Sequence, residues 1–412
     1  MVTGEKRTRI LLSAYACEPN KGSEPGVGWN WAIHLAEHYE VYVITRANNK
    51  NPIEKYLKEH SVEHLIFYYH DCSKMMKKVK KLPNGIFLYY KKWQSEILPI
   101  AKKIISEENI DIVHHITFNE FRTPGKLYKL EKPFVWGPIG GGQFYNPVFK
   151  KAYFHKSNLM KERFRNLINK CYLLFSTDIK NAVKYATAIL IADQSTEKIM
   201  PQNRKYIRLL ETAYNLDRNS IKDYSEEDID YIKLLWVGGI WPRKGLKVLI
   251  DALGESNFRK FELEIIGNGE DWNDCEKLVK KYNIQDYVHF AGALSYQDVN
   301  NHYDKADIFI FTSIRDTSGN VVLEAMSHGL PVITLNHHGA GEMVTNETGT
   351  LVDVTSYQKI KVDIVDAIKN YAADRNRIRQ QGVEARKRVE KVYSWEYNIA
   401  VMMKVYDSIL EG

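Results

Sequence analysis

The stretch Ala306-Asp307-Ile308-Phe309-Ile310-Phe311-Thr312-Ser313-Ile314-Arg315-Asp316-Thr317-Ser318-Gly319 runs directly into Asn320-Val321-Val322-Leu323-Glu324-Ala325-Met326-Ser327-His328. An apolar strand ends in small hydroxyl residues, a turn follows, and a helical period begins after Gly319. Ligands of open α/β sheets lie beyond the carboxyl ends of strands, so this loop is a candidate binding site. Gly319 lets backbone approach a ligand, and the free N–H groups of the next helical turn suit a phosphate or a sugar hydroxyl. Thr317, Ser318, Gly319 and Asn320 are therefore candidate contacts. Glu324 is flanked by apolar residues, and an unpaired buried carboxylate would be costly, so it should face something polar. From spacing alone, Asn320, Glu324 and His328 read as well as an ordinary solvated stripe.

Working outward, strands and helices alternate from end to end, the pattern of parallel sheets with helices on both faces. One run of strands is expected near Arg9–Ala14, Val41–Thr45, Leu65–Tyr69, Ile112–His115, Phe134–Trp136 and Ala188–Ala192. A second is expected near Lys233–Val237, Glu262–Ile266, Val288–Phe290, Ile308–Phe311 and Val332–Leu335. The fold class is α/β, with two doubly wound Rossmann-like domains facing across a cleft. The first spans 1–212 and is completed by a C-terminal helix, 396–412; the second spans 213–395. The polar, acidic stretch within Glu211–Asp230 reads as the linker.

A length of 412 residues exceeds the roughly 250 to 300 at which single cores stop growing. Hydrophobic residues make up 44% and charged residues 26%, and no apolar run approaches the ~18 residues of a membrane span. Met1–Arg9 resembles no secretory leader, so a cytoplasmic location is expected, in contact with the inner face of the membrane. Four dispersed cysteines suggest neither a zinc site nor a disulfide framework. Residues 1–210 hold 34 Lys+Arg against 19 Asp+Glu, whereas the remainder holds 24 against 32. A basic first half and an acidic second half imply different partners for each.

Other strand-end loops carry candidate chemistry. In Trp236-Val237-Gly238-Gly239-Ile240-Trp241-Pro242-Arg243-Lys244-Gly245, Arg243 and Lys244 can neutralise charge building on a departing diphosphate. Gly267 and Leu294 stand in loops after two further strands. In the first half, the loop from Asn20 to Trp29 contains Gly26 and Gly28; Asp111-Ile112-Val113-His114-His115-Ile116 ends a strand; and Gly140-Gly141-Gly142 follows another. No Gly-x-Gly-x-x-Gly follows the first strand, which argues against a nicotinamide-dependent dehydrogenase.

Asp316-(x7)-Glu324, with Gly319 between and Ala325-Met326-Ser327-His328-Gly329-Leu330-Pro331-Val332 after, resembles the Glu-x7-Glu signature of glycosyltransferase family 4, the retaining group 1 enzymes of GT-B fold. The likeness extends from Ser13 to Trp395. It implies a nucleotide-sugar donor, with Glu324 on the ribose, Gly238 and the Gly26–Gly28 loop near the phosphates, and the loops of Gly267 and Leu294 near the base. Asp316 would accept from a donor-sugar hydroxyl, and His115 would assist beside the diphosphate. His114, Gly140 and Gly141 would face the acceptor. No metal and no cofactor is implied. Three positions depart from the family: Asp316 replaces Glu, Gly239 replaces the Arg of Gly-Arg-(x4)-Lys-Gly, and Ile116 replaces the second His of Asp-x-x-His-x-His. Arg243 and His115 are candidates to substitute from neighbouring positions.

The expected activity is retaining transfer of a sugar to a glycan acceptor, lipid-linked or a surface-polysaccharide precursor. The alternative is a catalytically impaired protein of the same fold that binds nucleotide or glycan and partners another transferase. Basic segments Lys74–Lys103 and Lys150–Lys170, interleaved with Leu88, Tyr89, Tyr90, Trp93, Phe149, Tyr153, Phe154, Leu159 and Phe164, suggest contact with an anionic membrane rather than nucleic acid, since no nucleic-acid module accompanies the charge.

Overall fold

The structure, a computed structural model, describes residues 7–118, 120–214 and 231–412. Two all-parallel sheets form in succession. The first contains β1 (Arg9–Ser13), β2 (Glu40–Arg46), β3 (Leu65–His70), β4 (Ile112–His115), β5 (Phe134–Ile139), β6 (Ala188–Ile191) and β7 (Ile207–Arg208), in the order β3-β2-β1-β4-β5-β6-β7. The second contains β8 (Ile232–Val237), β9 (Phe261–Ile266), β10 (Val288–Gly292), β11 (Ile308–Phe311), β12 (Val332–Leu335) and β13 (Gly349–Val352), in the order β10-β9-β8-β11-β12-β13. Central strands such as β4, β5, β11 and β12 are buried along their whole length, as parallel strands covered on both faces must be.

Each sheet reverses its winding once, between β1 and β4 in the first and between β8 and β11 in the second. The connections on either side of such a point diverge and leave a crevice at the carboxyl end of the sheet. The loop 238–245 after β8 and the loop 312–319 after β11 flank the second crevice.

The chain then returns to the first domain. Helix Arg375–Val392 packs Ala385 and Val389 into the core of the second, and helix Trp395–Glu411 buries Trp395, Ile399, Met402, Val405 and Tyr406 against the core behind β1 and β4. Ser394 starts this last helix by accepting from the Tyr397 amide. The Trp395 ring meets Trp31 edge-on at 5.3 Å, and Tyr406 meets Tyr39 in the same way at 5.3 Å. Asn398 donates to the carbonyls of Leu210 (3.1 Å) and Thr212 (3.3 Å), fixing the segment that leaves the first domain. Most of the expected linker, 215–230, lies outside the described residues.

Candidate functional site

Two adjoining cavities occupy the cleft, of about 430 and 590 Å³, and share Ser23, Val27, Asn320 and Glu324 in their walls. The smaller brings together loops from both sheets: Arg243 and Lys244 after β8, Asp316 to Glu324 after β11, and Gly140, Glu120 and Glu211 from the first domain.

The two loops of the second domain are stitched to each other. The Arg243 carbonyl accepts from the amides of Ile314 (2.9 Å) and Arg315 (3.3 Å) and from the Ser313 hydroxyl (3.2 Å). Gly245 sits at φ +68°, where a Cβ would lie 2.1 Å from the Thr312 carbonyl oxygen, so only glycine permits this approach. The juxtaposition places Lys244 Nζ in an ion pair with Oδ2 of Asp316, with Arg243 Nη1 3.7 Å from Oδ1. Burial pushes the Asp316 carboxyl up, but Lys244 and then Arg243 outweigh it and hold the group below the usual carboxylate range.

Gly319, at φ +82°, opens helix Asn320–Ser327, and a Cβ there would strike the Phe311 ring at 2.7 Å. No side chain caps this helix, which leaves its first amides directed at the cavity. Val322, Leu323, Ala325 and Met326 are buried, while Asn320 and Glu324, four apart, share the face that lines both cavities. The Tyr303 hydroxyl donates to Glu324 Oε2 at 3.0 Å; burial raises the Glu324 pKa, and this hydrogen bond opposes the rise.

Glu211 is a cavity residue that the sequence did not single out. The Trp31 indole donates to its carbonyl (2.9 Å), Ser318 donates to its Oε1, and its buried Oε2 has no partner. Burial is the main cause of its pKa rising to about 7, opposed by the Ser318 hydroxyl. Its sequence neighbours gave no sign of this, because the site arises from contacts more than a hundred positions away.

Of the expected contacts, Arg243, Lys244, Asp316, Thr317, Ser318, Gly319, Asn320, Glu324, Gly238 and Gly140 line the smaller cavity, and Gly26 lines the larger. A Cβ at Gly239 would lie 2.2 Å from the Trp241 indole nitrogen, so a side chain there would require that ring to shift, and Arg243 stands on the same cavity wall.

Six expected contacts line neither cavity. His114 is wholly buried, donating from Nε2 to the Gly137 carbonyl (2.7 Å) and accepting the Tyr406 hydroxyl at Nδ1 (2.6 Å). It joins the C-terminal helix to the first sheet instead of facing an acceptor. His115 is also buried, 3.0 Å from the Tyr90 hydroxyl, inside a network that continues through Gln94 to Ser13, and lines neither cavity. Burial lowers the pKa of His114 to about 4 and of His115 to about 3, keeping both rings neutral. Gly28 packs against the Ala16 carbonyl, Gly267 against the Gly238 carbonyl and Gly141 against Glu120. Leu294 packs at the edge of the second domain's core.

Polar contacts also cross the cleft. Arg315 forms a two-pronged pair with Glu162 (3.0 Å for each prong), Gln143 donates to Thr317 (3.3 Å), and Glu342 accepts from the Gln194 amide (2.7 Å). No helix among the described residues is long and apolar enough to cross a membrane.

Residues 217–385 match the family model for glycosyl transferases group 1. An uncharacterized glycosyltransferase of Methanocaldococcus jannaschii is 27% identical over 239 residues, covering 56% of this chain and 65% of that protein. Among solved structures, sucrose-phosphate synthase from Thermosynechococcus elongatus superposes with a TM-score of 0.70 at 20% identity, covering 98% of this chain and 100% of that one. Anabaena HepE in complex with UDP gives 0.62 at 15% identity, covering 97% and 100%. The chain therefore has the GT-B fold, two Rossmann-like domains facing across a cleft, and its residues 217–385 carry the sequence pattern of the group 1 glycosyl transferases.

Proposed function

We propose that the protein is a retaining glycosyltransferase that holds a nucleoside diphosphate sugar in the cleft and passes its sugar to a glycan acceptor. The observation that carries this reading is the meeting, in one cavity, of two cations, an uncapped helix start and a carboxylate one turn into that helix: Arg243, Lys244, Gly319–Asn320 and Glu324. Cations and helix amides suit the diphosphate, and a carboxylate acceptor suits a pair of ribose hydroxyls.

In this reading the bond between the sugar's anomeric carbon and the diphosphate oxygen breaks with the electron pair leaving on phosphate. Arg243 and Lys244 stabilise the charge that develops there. The acceptor hydroxyl bonds to the anomeric carbon on the face the diphosphate leaves, and its proton passes to the departing phosphate oxygen. Asp316 accepts from a hydroxyl of the donor sugar. The first-domain wall, with Gly140 and Glu120, meets the acceptor. A lipid-linked or surface-polysaccharide precursor fits the basic character of the first half.

The test is release of nucleoside diphosphate from UDP-, GDP- and ADP-sugars by the full chain and by Lys244→Ala. Release from at least one donor, reduced about 100-fold or more in the variant, supports the reading, since single transition-state donors are typically worth that much. The departures at Asp316 and Gly239 favour a second reading, a partner protein that binds without turnover; tight nucleotide binding with no release from any donor selects it.

A further inference from the structure

Helix Lys156–Phe175 has two different sides. Its inner side belongs to the cleft: Asn158 and Leu159 are buried, Glu162 pairs with Arg315, and Arg165 donates to the carbonyls of Gln143 (2.7 Å) and Gly141 (3.0 Å). The outer side is apolar and open. Met160 is 61% exposed, Phe164 62%, Leu167 55%, Leu174 62% and Phe175 75%. Their spacing of four, three, seven and one residues puts them on one face of the helix. Exposed Lys156, Lys161, Arg163 and Lys170 accompany this stripe. Glu162, the helix's only acidic residue, points inward to Arg315.

Contiguous exposed apolar surface of this kind marks an interaction site. The charge decides the partner. A second copy of the same face would set cations against cations with no acid to answer them. An anionic lipid surface receives the apolar side chains and attracts the cations together. Of the nine aromatic and apolar residues expected to face a membrane in the two basic segments, Tyr89, Tyr90, Trp93, Phe149, Tyr153 and Leu159 are buried in the core and Phe154 is half-buried, which leaves Leu88 and Phe164 exposed.

We infer that the outer face of helix Lys156–Phe175 is a docking surface for an anionic membrane. Because the same helix's inner face holds the Gly141–Gln143 turn at the cleft, docking brings a lipid surface within about one helix diameter, 10–12 Å, of that wall. Delivery of a lipid-linked acceptor rests on the transferase reading; the docking itself does not.

The experiment is co-sedimentation of the full chain, without substrate, with vesicles of phosphatidylcholine alone and of equal parts phosphatidylcholine and phosphatidylglycerol. The expected result is at least tenfold stronger binding to the anionic vesicles, weakened by salt, and at least a tenfold loss in the Phe164→Glu, Leu174→Glu double variant with an unchanged melting temperature. Lys156→Gln with Lys170→Gln, exposed changes remote from the core, reads the same surface through charge and is expected to lose binding severalfold. Equal binding to both vesicles, or unchanged binding in both variant pairs, overturns the inference. So does a concentration-dependent dimer that the apolar variants dissolve while wild type ignores vesicles, since that result assigns the face to a second copy. Nucleotide binding without vesicle binding leaves the transferase reading standing and defeats only the docking.

Discussion

Lys244 and Asp316, 72 residues apart, form an ion pair between the loops on either side of the second sheet's switch point. The carboxylate engages a cation that a diphosphate would also use. Asp316→Asn removes this competitor. Nucleoside diphosphate is expected to bind the variant as tightly as wild type or up to about tenfold more tightly, a gain of at most about 1.4 kcal/mol. Sugar transfer is expected to fall about 100-fold as the charged acceptor becomes a neutral amide. Calorimetry and a diphosphate-release assay on the same preparation check the two halves.

Glu324 is expected to act on the nucleoside rather than on the sugar. Glu324→Gln keeps the shape but removes a charge-assisted acceptor, which is worth roughly 1.5–3 kcal/mol. Nucleoside diphosphate affinity should fall about tenfold to a hundredfold, while a 2′,3′-dideoxynucleoside diphosphate should bind wild type and variant alike. Discrimination between the two nucleotides that survives the substitution would remove Glu324 from the ribose.

The Glu211 carboxyl titrates near neutrality. Its folded pKa, about 7, lies above its ordinary value of 4.5, so between these values the unfolded chain has released the proton and the folded chain keeps it. The contribution to stability is present below pH 4.5 and is lost as pH rises to 7, at most about 3 kcal/mol across the window. Glu211→Gln has no such titration. The difference in unfolding free energy between wild type and variant should therefore tilt against wild type as pH rises from 4.5 to 7, and a flat difference in denaturant melts would contradict the assignment.

His114 predicts the opposite slope. Its folded pKa, about 4, lies below the ordinary 6.5, so its contribution is present above pH 6.5 and is lost as pH falls towards 4. Tyr406→Phe leaves Nδ1 of a buried imidazole without its donor and should cost about 1–3 kcal/mol in stability. Nucleotide binding below the melting temperature should be unchanged, because neither residue lines either of the two cleft cavities. Weakened binding in the folded variant would return His114 to the site.

Much of the α/β fold could be read from the sequence because buried parallel strands are mostly apolar runs, unbroken in Ile308–Phe311 and interrupted only by Thr334 in Val332–Leu335. β7 has two residues and β13 is Gly-Thr-Leu-Val, too short or too mixed to declare themselves. The residues that line the smaller cavity from the second domain were legible because they follow two strands in short order, Lys244 seven positions after Val237 and Glu324 thirteen after Phe311. His114 misled because its partner Tyr406 lies 292 residues away and no local pattern announces it. Glu211 was hidden in the same way: read in sequence it begins a linker, and only Trp31 and Ser318 make it part of the cavity wall.

The central claim, that the cleft between the two sheets holds a nucleoside diphosphate sugar, is tested most directly by calorimetric titration of UDP, GDP and ADP into the full chain and into Lys244→Ala. At least one diphosphate should bind wild type with a Kd in the micromolar range and bind the variant tenfold or more weakly. No measurable binding of any of the three, or equal binding by wild type and variant, would contradict the account.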